Sequence, residues 1–304
     1  MKEITALVSR NRKLFFKDKG MLFSSMITPV ILIVLYATFL ANIYKDSFVS
    51  ATKDMIDLPD KIINGTVAAQ LAAALLAVSC VTVTFCVNLT MVQDRASGAR
   101  KDFDVSPVSK TKIYIGYFLS TVLNSLMVNG TALALCLLYI LKMGWYMSAS
   151  DVIFVILDMI LLVLFGSTLS SIVSYPLKTQ GQLSAVGTIV SAGYGFVCGA
   201  YMPISNFSSG LQKALSYLPG TYGTSLVKNH MLNGVYKEMA DTGLPSEAVT
   251  VIRNTLDCNP VFRGHVVGVS QMYLIMAGSI VVFGAAYLLS LIHISEPTRL
   301  ALIS

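Results

Sequence analysis

Asp158 is the only acid inside an apolar run of this chain. A carboxylate held there can carry a proton, bind a cationic substrate or accept hydrogen bonds from a neighbouring helix, and hydrocarbon makes an idle one expensive. No intramembrane Lys, Arg or His partner is identifiable for it, and His265 lies only at the edge of a run. Hydrogen bonding to an adjacent helix, or to water near the outer face, is its plainest use. Other chemistry is excluded by residue type and spacing. The chain has no GxSxG, no HExxH and no GxxxxGK[ST], so it carries no nucleophile elbow, zinc-protease helix or phosphate loop of its own. Four of its five cysteines (Cys80, Cys86, Cys136 and Cys198) fall in apolar runs and no CxxC occurs, so neither a metal site nor a disulfide framework is expected.

The second chemically dense stretch is ARKDFDVSPVSKTKIY, residues 99–114, with two acids, four bases and a Ser-Pro turn between two apolar runs. Gly98 and Pro107 break the backbone at either end of a short helical stretch. Between them Arg100, Lys101 and Phe103 are expected to project charge and one apolar knob, as a docking element for a soluble partner requires.

The elements that must hold these residues follow from composition. Of 304 residues 55% are hydrophobic and 12% charged, against roughly 25% charged in soluble domains, and mean hydropathy is +0.69. The chain reads as an all-α integral membrane protein. Six apolar runs, about 21–43, 66–89, 114–141, 152–174, 183–201 and 266–288, predict six spanning helices in one transmembrane domain over 1–288. Before them, Ile4, Leu7, Val8, Leu14 and Phe15 share a helical face with Arg10, Arg12, Lys13 and Lys17 around it, which predicts an amphipathic helix in the headgroup plane. Lys and Arg concentrate before residue 20 and in the 91–113 loop, so both termini are expected in the cytoplasm. The net charge of +6 therefore reports orientation, and no soluble basic face for nucleic acid is found.

Several runs carry stripes. Gln70, Ala73, Ala77, Cys80, Thr84 and Asn88 recur at near-heptad spacing in the second, and Gly187, Ser191, Gly195 and Gly199 every fourth residue in the fifth. Both are small-xxx-small faces, on which helix backbones approach closely in lipid. Thr121, Asn124, Ser125 and Asn129 share a face in the third. They can be interhelical glue or the lining of a substrate path. Residues 202–265 are expected outside, beginning with an amphipathic segment whose face is Phe207, Leu211, Leu215 and Leu218, bracketed by Pro203 and Pro219, and ending in a polar cap from about 228. The end, 289–304, breaks the pattern. LSLIHISEPTR resembles the conceptual translation of a sequencing adapter, so His293 and Glu296 are set aside and the natural C-terminus is expected to differ.

DRASGARKDFDVSPVS resembles the cytoplasmic loop of type-2 ATP-binding cassette exporter permeases, in which an acid precedes a glycine by four residues and a Ser/Thr-Pro follows it by eight and nine. Asp94, Gly98, Ser106 and Pro107 take those positions, with Phe103 between and Arg95, Arg100 and Lys101 as the bases. Ala96 and Lys101 stand where the family often has acids. GAYMPISNFSSGLQKALSYLPGTYG is similar to the family's outer re-entrant segment, making Pro203, Phe207, Leu211, Leu215, Pro219 and Tyr222 a candidate outer gate. The resemblance spans residues 1–288. It implies the non-catalytic membrane subunit of a bacterial inner-membrane exporter, working with a second permease chain and a separate ATPase subunit that binds ATP and Mg. A small amphiphile or drug is the cargo it leans towards. A proton-driven transporter using Asp158, or a non-transporting scaffold, is the alternative from the residues alone.

Overall fold

The computed structural model describes residues 2–35, 38, 42, 45 and 58–295. Helices dominate: α1 (Lys2–Lys17), α2 (Lys19–Leu35), α3 (Asp60–Ala96), α4 (Arg100–Asp104), α5 (Lys110–Met143), α6 (Ala149–Ser174), α7 (Gln180–Val197), α8 (Ser209–Leu215), α9 (Pro219–Asp241), α10 (Ser246–Thr255) and α11 (Val269–Ser295). The one sheet among the described residues is an antiparallel hairpin, β1 (Val261–Phe262) with β2 (His265–Val266). Its two-residue turn, Arg263-Gly264, has positive φ at both positions (50° and 86°), the twist that tight hairpins require.

α3 is the axis of the bundle, and α5, α6, α9, α2 and α7 pack around it. It is apolar or small on every side and buried along nearly its whole length, as an all-round apolar helix must be. Its 37 residues span about 55 Å, well beyond a hydrocarbon core of about 30 Å, so its ends stand clear of the lipid. α5 is similarly overlong at 34 residues, and it answers the overlong third run of the sequence.

Four described helices (α3, α5, α6 and α11) are long and apolar enough to cross a membrane. The first and fifth expected spans fall on α2 and α7, which are not among those four. The expected extension of the first to residue 43 lies largely outside the described residues. α7 is diluted by Gln182, Ser184, Thr188 and Ser191 and stops at Val197. There the chain reverses: Gly199 takes φ +72° and the Gly195 carbonyl accepts from the amides of Ala200 and Tyr201.

α1 differs from its expectation in what it lies against. Leu7, Asn11 and Phe15 are buried, at i, i+4 and i+8, so the helix is docked on the bundle. Leu7 meets Gly116 of α5 so closely that a Cβ there would lie 2.9 Å from it. Asn11 donates to Ser120 at 3.2 Å, and Glu3 pairs with Lys112 at 2.7 Å.

Residues 219–241 are more ordered than the sequence suggested. Where a segment passing into a polar cap from 228 was expected, the chain forms α9, a 23-residue helix with sixteen buried residues, packed against α3, α6 and α11. Glycines permit the approach. A Cβ on Gly234 would lie 1.9 Å from the Tyr146 carbonyl oxygen in the α5–α6 link, and one on Gly223 would lie 2.5 Å from Leu162. Pro219 opens this helix at its first turn, where a missing N–H costs nothing.

Candidate functional site

The loop after α3 is built as a lever. Gly98, at φ +82°, turns the chain out of α3, and the five residues of α4 follow. Ser106 closes it, its hydroxyl donating to the Phe103 carbonyl at 2.8 Å, and Pro107 prevents continuation. The side chains, however, are not displayed as the sequence suggested. Phe103 is half-buried with Leu7, Met91, Ile113 and Tyr117, and the Arg10 guanidinium lies 5.0 Å from its ring centroid. Arg100 stacks over Tyr114 at 4.6 Å. The exposed tip is Lys101, Asp102 and Val105, and Val105 is 88% exposed. An apolar side chain bared to that degree on a charged loop is the apolar knob, two residues beyond the one expected.

The root of the lever is tied on both sides. Asp94 is buried and accepts from Arg10 at 2.6 and 3.1 Å and from the Tyr117 hydroxyl. The bond to Asp94 holds the Arg10 guanidinium above its ordinary pKa despite partial burial. Arg95 reaches the other way and donates to the carbonyls of Tyr175 (2.5 Å) and Leu177 (3.1 Å) in the α6–α7 link and to the Tyr114 hydroxyl (3.3 Å). Its guanidinium also caps the contacting rings of Tyr114 and Tyr175, 5.8 and 5.6 Å from their centroids. The N-terminal helix and the α6–α7 link are thus both fastened to the last turn of α3.

Within the bundle, polar residues of α3, α5 and α6 meet. Thr121 donates to Asn88 at 3.4 Å, and Asn88 donates to Ser170 at 3.3 Å. Ser79 donates to Asn129 at 2.7 Å. Thr84 and Cys80 lie at a close helix crossing, where a Cβ on Gly166 of α6 would come within 2.5 Å of the Thr84 hydroxyl oxygen. Ala73 and Ala77 are fully buried, and Gln70 is buried with no partner for its Oε1. The fifth-run stripe divides. Gly195 accommodates the Tyr201 ring folded back from the loop, whereas Gly187 meets nothing within 4 Å and Ser191 is half-buried.

Towards the other end, Asp158 is 1% exposed and is not alone. His230 Nδ1 of α9 lies 2.6 Å from its Oδ2, and the Tyr273 hydroxyl of α11 donates to Oδ1 at 2.6 Å. Phe154 stacks on the imidazole at 4.9 Å. The partner missing from the sequence reading is therefore a histidine in the segment assigned to the outside, and the trio fastens α6, α9 and α11 to one another.

A second buried charge was also missed. Lys228 of α9 is completely buried and donates to the Gly199 carbonyl at 2.9 Å, with Asp257 Oδ2 at 3.7 Å. The same oxygen accepts from the Ile204 amide at 2.7 Å. Burial pushes the Asp257 carboxyl above its ordinary pKa, against the pull of Lys228 and that amide. This clasp joins the end of α7, the 3-10 turn Ile204–Asn206, α9 and the loop after α10. The candidate outer gate surrounds it. Leu215 and Tyr222 are buried, and Tyr222 donates to the Ser216 carbonyl at 2.5 Å. Pro203, Phe207 and Pro219 are half-buried, and Leu211 is exposed. α8 is only seven residues long, so Leu218 falls outside it and is exposed. The one signal in the sequence that could have drawn 219–241 inside is its glycines, Gly220, Gly223 and Gly234, each against a neighbouring side chain or backbone.

Among the described residues no group of His, Cys, Asp and Glu is placed to hold a metal. The family model described as ABC-2 family transporter protein matches residues 55–289. Its end falls where the adapter-like string LSLIHISEPTR begins. No curated protein matches the chain.

Proposed function

As the chain belongs to the ABC-2 transporter family, a membrane subunit of an ATP-binding cassette transporter, we propose that it drives export by taking up the motion of a separate ATPase subunit through residues 94–107. The observation that carries this reading is the lever itself: a bared tip at Lys101, Asp102 and Val105 whose root is bonded to α1 through Asp94 and to the α6–α7 link through Arg95. Force delivered at such a tip reaches the spans without slack.

Two copies, or this chain and a related permease, would form the path with two ATPase subunits. The open half of the α7 stripe around Gly187 and Ser191 is available for a close approach between them. ATP and Mg would be bound on the ATPase. α2 and α7 would complete six spans in a bacterial inner membrane with both termini cytoplasmic, and the segment from Pro203 to Tyr222 would form the outer gate. The cargo this supports is a drug-like small amphiphile.

The test is co-purification of the ATPase encoded beside this chain. Val105→Glu with Lys101→Glu is expected to lower its recovery about tenfold, the loss of an interface hot spot worth about 1.4 kcal/mol, with the permease still eluting as a folded species. Undiminished recovery would remove the tip from the coupling surface.

A further inference from the structure

Five buried polar atoms on two helices that pack against each other have no hydrogen-bond partner: Asn124 Oδ1 and Ser125 Oγ of α5, and Ser167 Oγ, Ser171 Oγ and Ser174 Oγ of α6. None of these residues is more than 1% exposed. Each orphaned group costs about 1–3 kcal/mol relative to a satisfied one, and native proteins hold few such groups. Serine in a helix ordinarily escapes by donating to a carbonyl of the preceding turn, and in the same helices Ser120 does so to Tyr117, Ser170 to Ser167 and Thr168 to Phe165. The serines at 125, 167, 171 and 174 do not.

Their places are not scattered. Ser167, Ser171 and Ser174 lie at i, i+4 and i+7, so they share one face of α6 with Ser170 between them. Asn124 and Ser125 lie one turn from Thr121. Ser170 and Thr121 are the residues that Asn88 of α3 links across the three helices, and both links are long, 3.3 and 3.4 Å. The interface is therefore a seam of hydroxyl and amide groups with weak bonds across it and unused ones along it. At its end, Ser174 is followed by Tyr175, whose carbonyl is held by Arg95.

We infer that the α3–α5–α6 seam is a water-binding crevice inside a single protomer, closed to bulk solvent in this structure, with Arg95 as the latch at its mouth. Water is the ligand the seam fits. It is lined by neutral groups that both donate and accept, it holds no charged side chain among the five orphans, and a buried water wants two to four polar partners. When the latch releases, the α6 end parts from α3 and the orphaned oxygens gain their bonds from solvent. Hydration thereby offsets the lost packing and keeps the two states close in free energy. The inference stands apart from the coupling surface proposed above, because the seam and its latch are read without reference to any ATPase.

The experiment is cysteine accessibility in inverted membrane vesicles. A chain with Cys80, Cys86, Cys136, Cys198 and Cys258 replaced would carry Ser171→Cys, Ser174→Cys or, as the dry reference, Leu162→Cys on the same helix. A charged, membrane-impermeant thiosulfonate is expected to modify positions 171 and 174 and spare 162, and Arg95→Ala is expected to speed modification at 171 about tenfold. Position 171 as inert as 162, with and without Arg95, overturns the crevice. If the cysteine-free chain fails to fold, Ser167→Ala with Ser171→Ala in the otherwise unaltered chain decides. Removing two orphans raises the thermal midpoint of the closed state, whereas an unchanged or lowered midpoint means that the hydroxyls act as glue and overturns the crevice.

Discussion

Lys228→Met is expected to destabilise the permease by about 3–5 kcal/mol, the cost of stranding one member of a buried ion pair. The side chain has no exposed surface, and its ammonium serves the Gly199 carbonyl at 2.9 Å and the Asp257 carboxylate at 3.7 Å. Methionine fills the space of the stem but leaves Asp257 with only the backbone amides of Ile204 and Ser205 as donors in the clasp. The sign of the pH dependence follows from the carboxyl. Burial already holds Asp257 above its ordinary range, and Lys228 is what pulls it back. Without the lysine its folded pKa rises further above the unfolded one. Stability is then present below the unfolded pKa and is lost as pH climbs through the folded value. The deficit should be slight near about pH 4 and complete by about pH 8. Thermal unfolding of purified protein across that range reads it, and adding Asp257→Asn should restore most of the loss at neutral pH. A deficit of equal size at both ends of the range would mean that the clasp is held by packing and not by the pair.

That clasp also shows where the sequence was legible and where it was not. The apolar runs located α3, α5, α6 and α11 to within a few residues at most ends, because hydrocarbon admits few alternatives to a long apolar helix. Gly98 and Pro107 marked the ends of α4 for the same kind of local reason: each restricts its own backbone. α9 was hidden because hydropathy counts two lysines, a histidine and four asparagines or threonines as a preference for water, one residue at a time. In the folded chain Lys228, His230, Asn229 and Asn233 are each satisfied from another element: Gly199 and Asp257, Asp158, Cys258 and Arg253, and Asp151. Pairing over 24 to 82 positions of chain leaves no local pattern. The 94–107 loop was misread for a different reason. Phe103 is the bulkier apolar residue and was taken as the knob, but Arg10 of α1 lies over its ring, and a contact made by a helix nearly a hundred residues earlier is not written in the loop.

On the proposed coupling, Arg95→Ala is expected to lower transport by an order of magnitude or more while leaving intact the ATPase association proposed for the Val105 tip, which separates the root of the loop from its tip. The guanidinium donates to two carbonyls of the α6–α7 link, at 2.5 and 3.1 Å, and lies against Tyr114 and Tyr175. A charge-assisted hydrogen bond contributes roughly 1.5–3 kcal/mol when made, so the two together exceed the 1.4 kcal/mol that separates tenfold differences in a population. With alanine, α6 and the last turn of α3 are free to move independently. Motion at the tip then dissipates in the loop, and the α6–α7 link no longer follows it. Arg95→Lys should recover little, because a point charge on a flexible stem can meet one carbonyl but cannot fork to two while lying against the paired rings. The measurement is paired: ATPase retention by co-purification, and efflux of a fluorescent amphiphile from vesicles. Loss of both together would place Arg95 in the docking surface, and loss of neither would show that the α6–α7 link is not driven through α3. Loss of transport alone is the result the geometry requires, since Arg95 faces the bundle and the tip faces away from it.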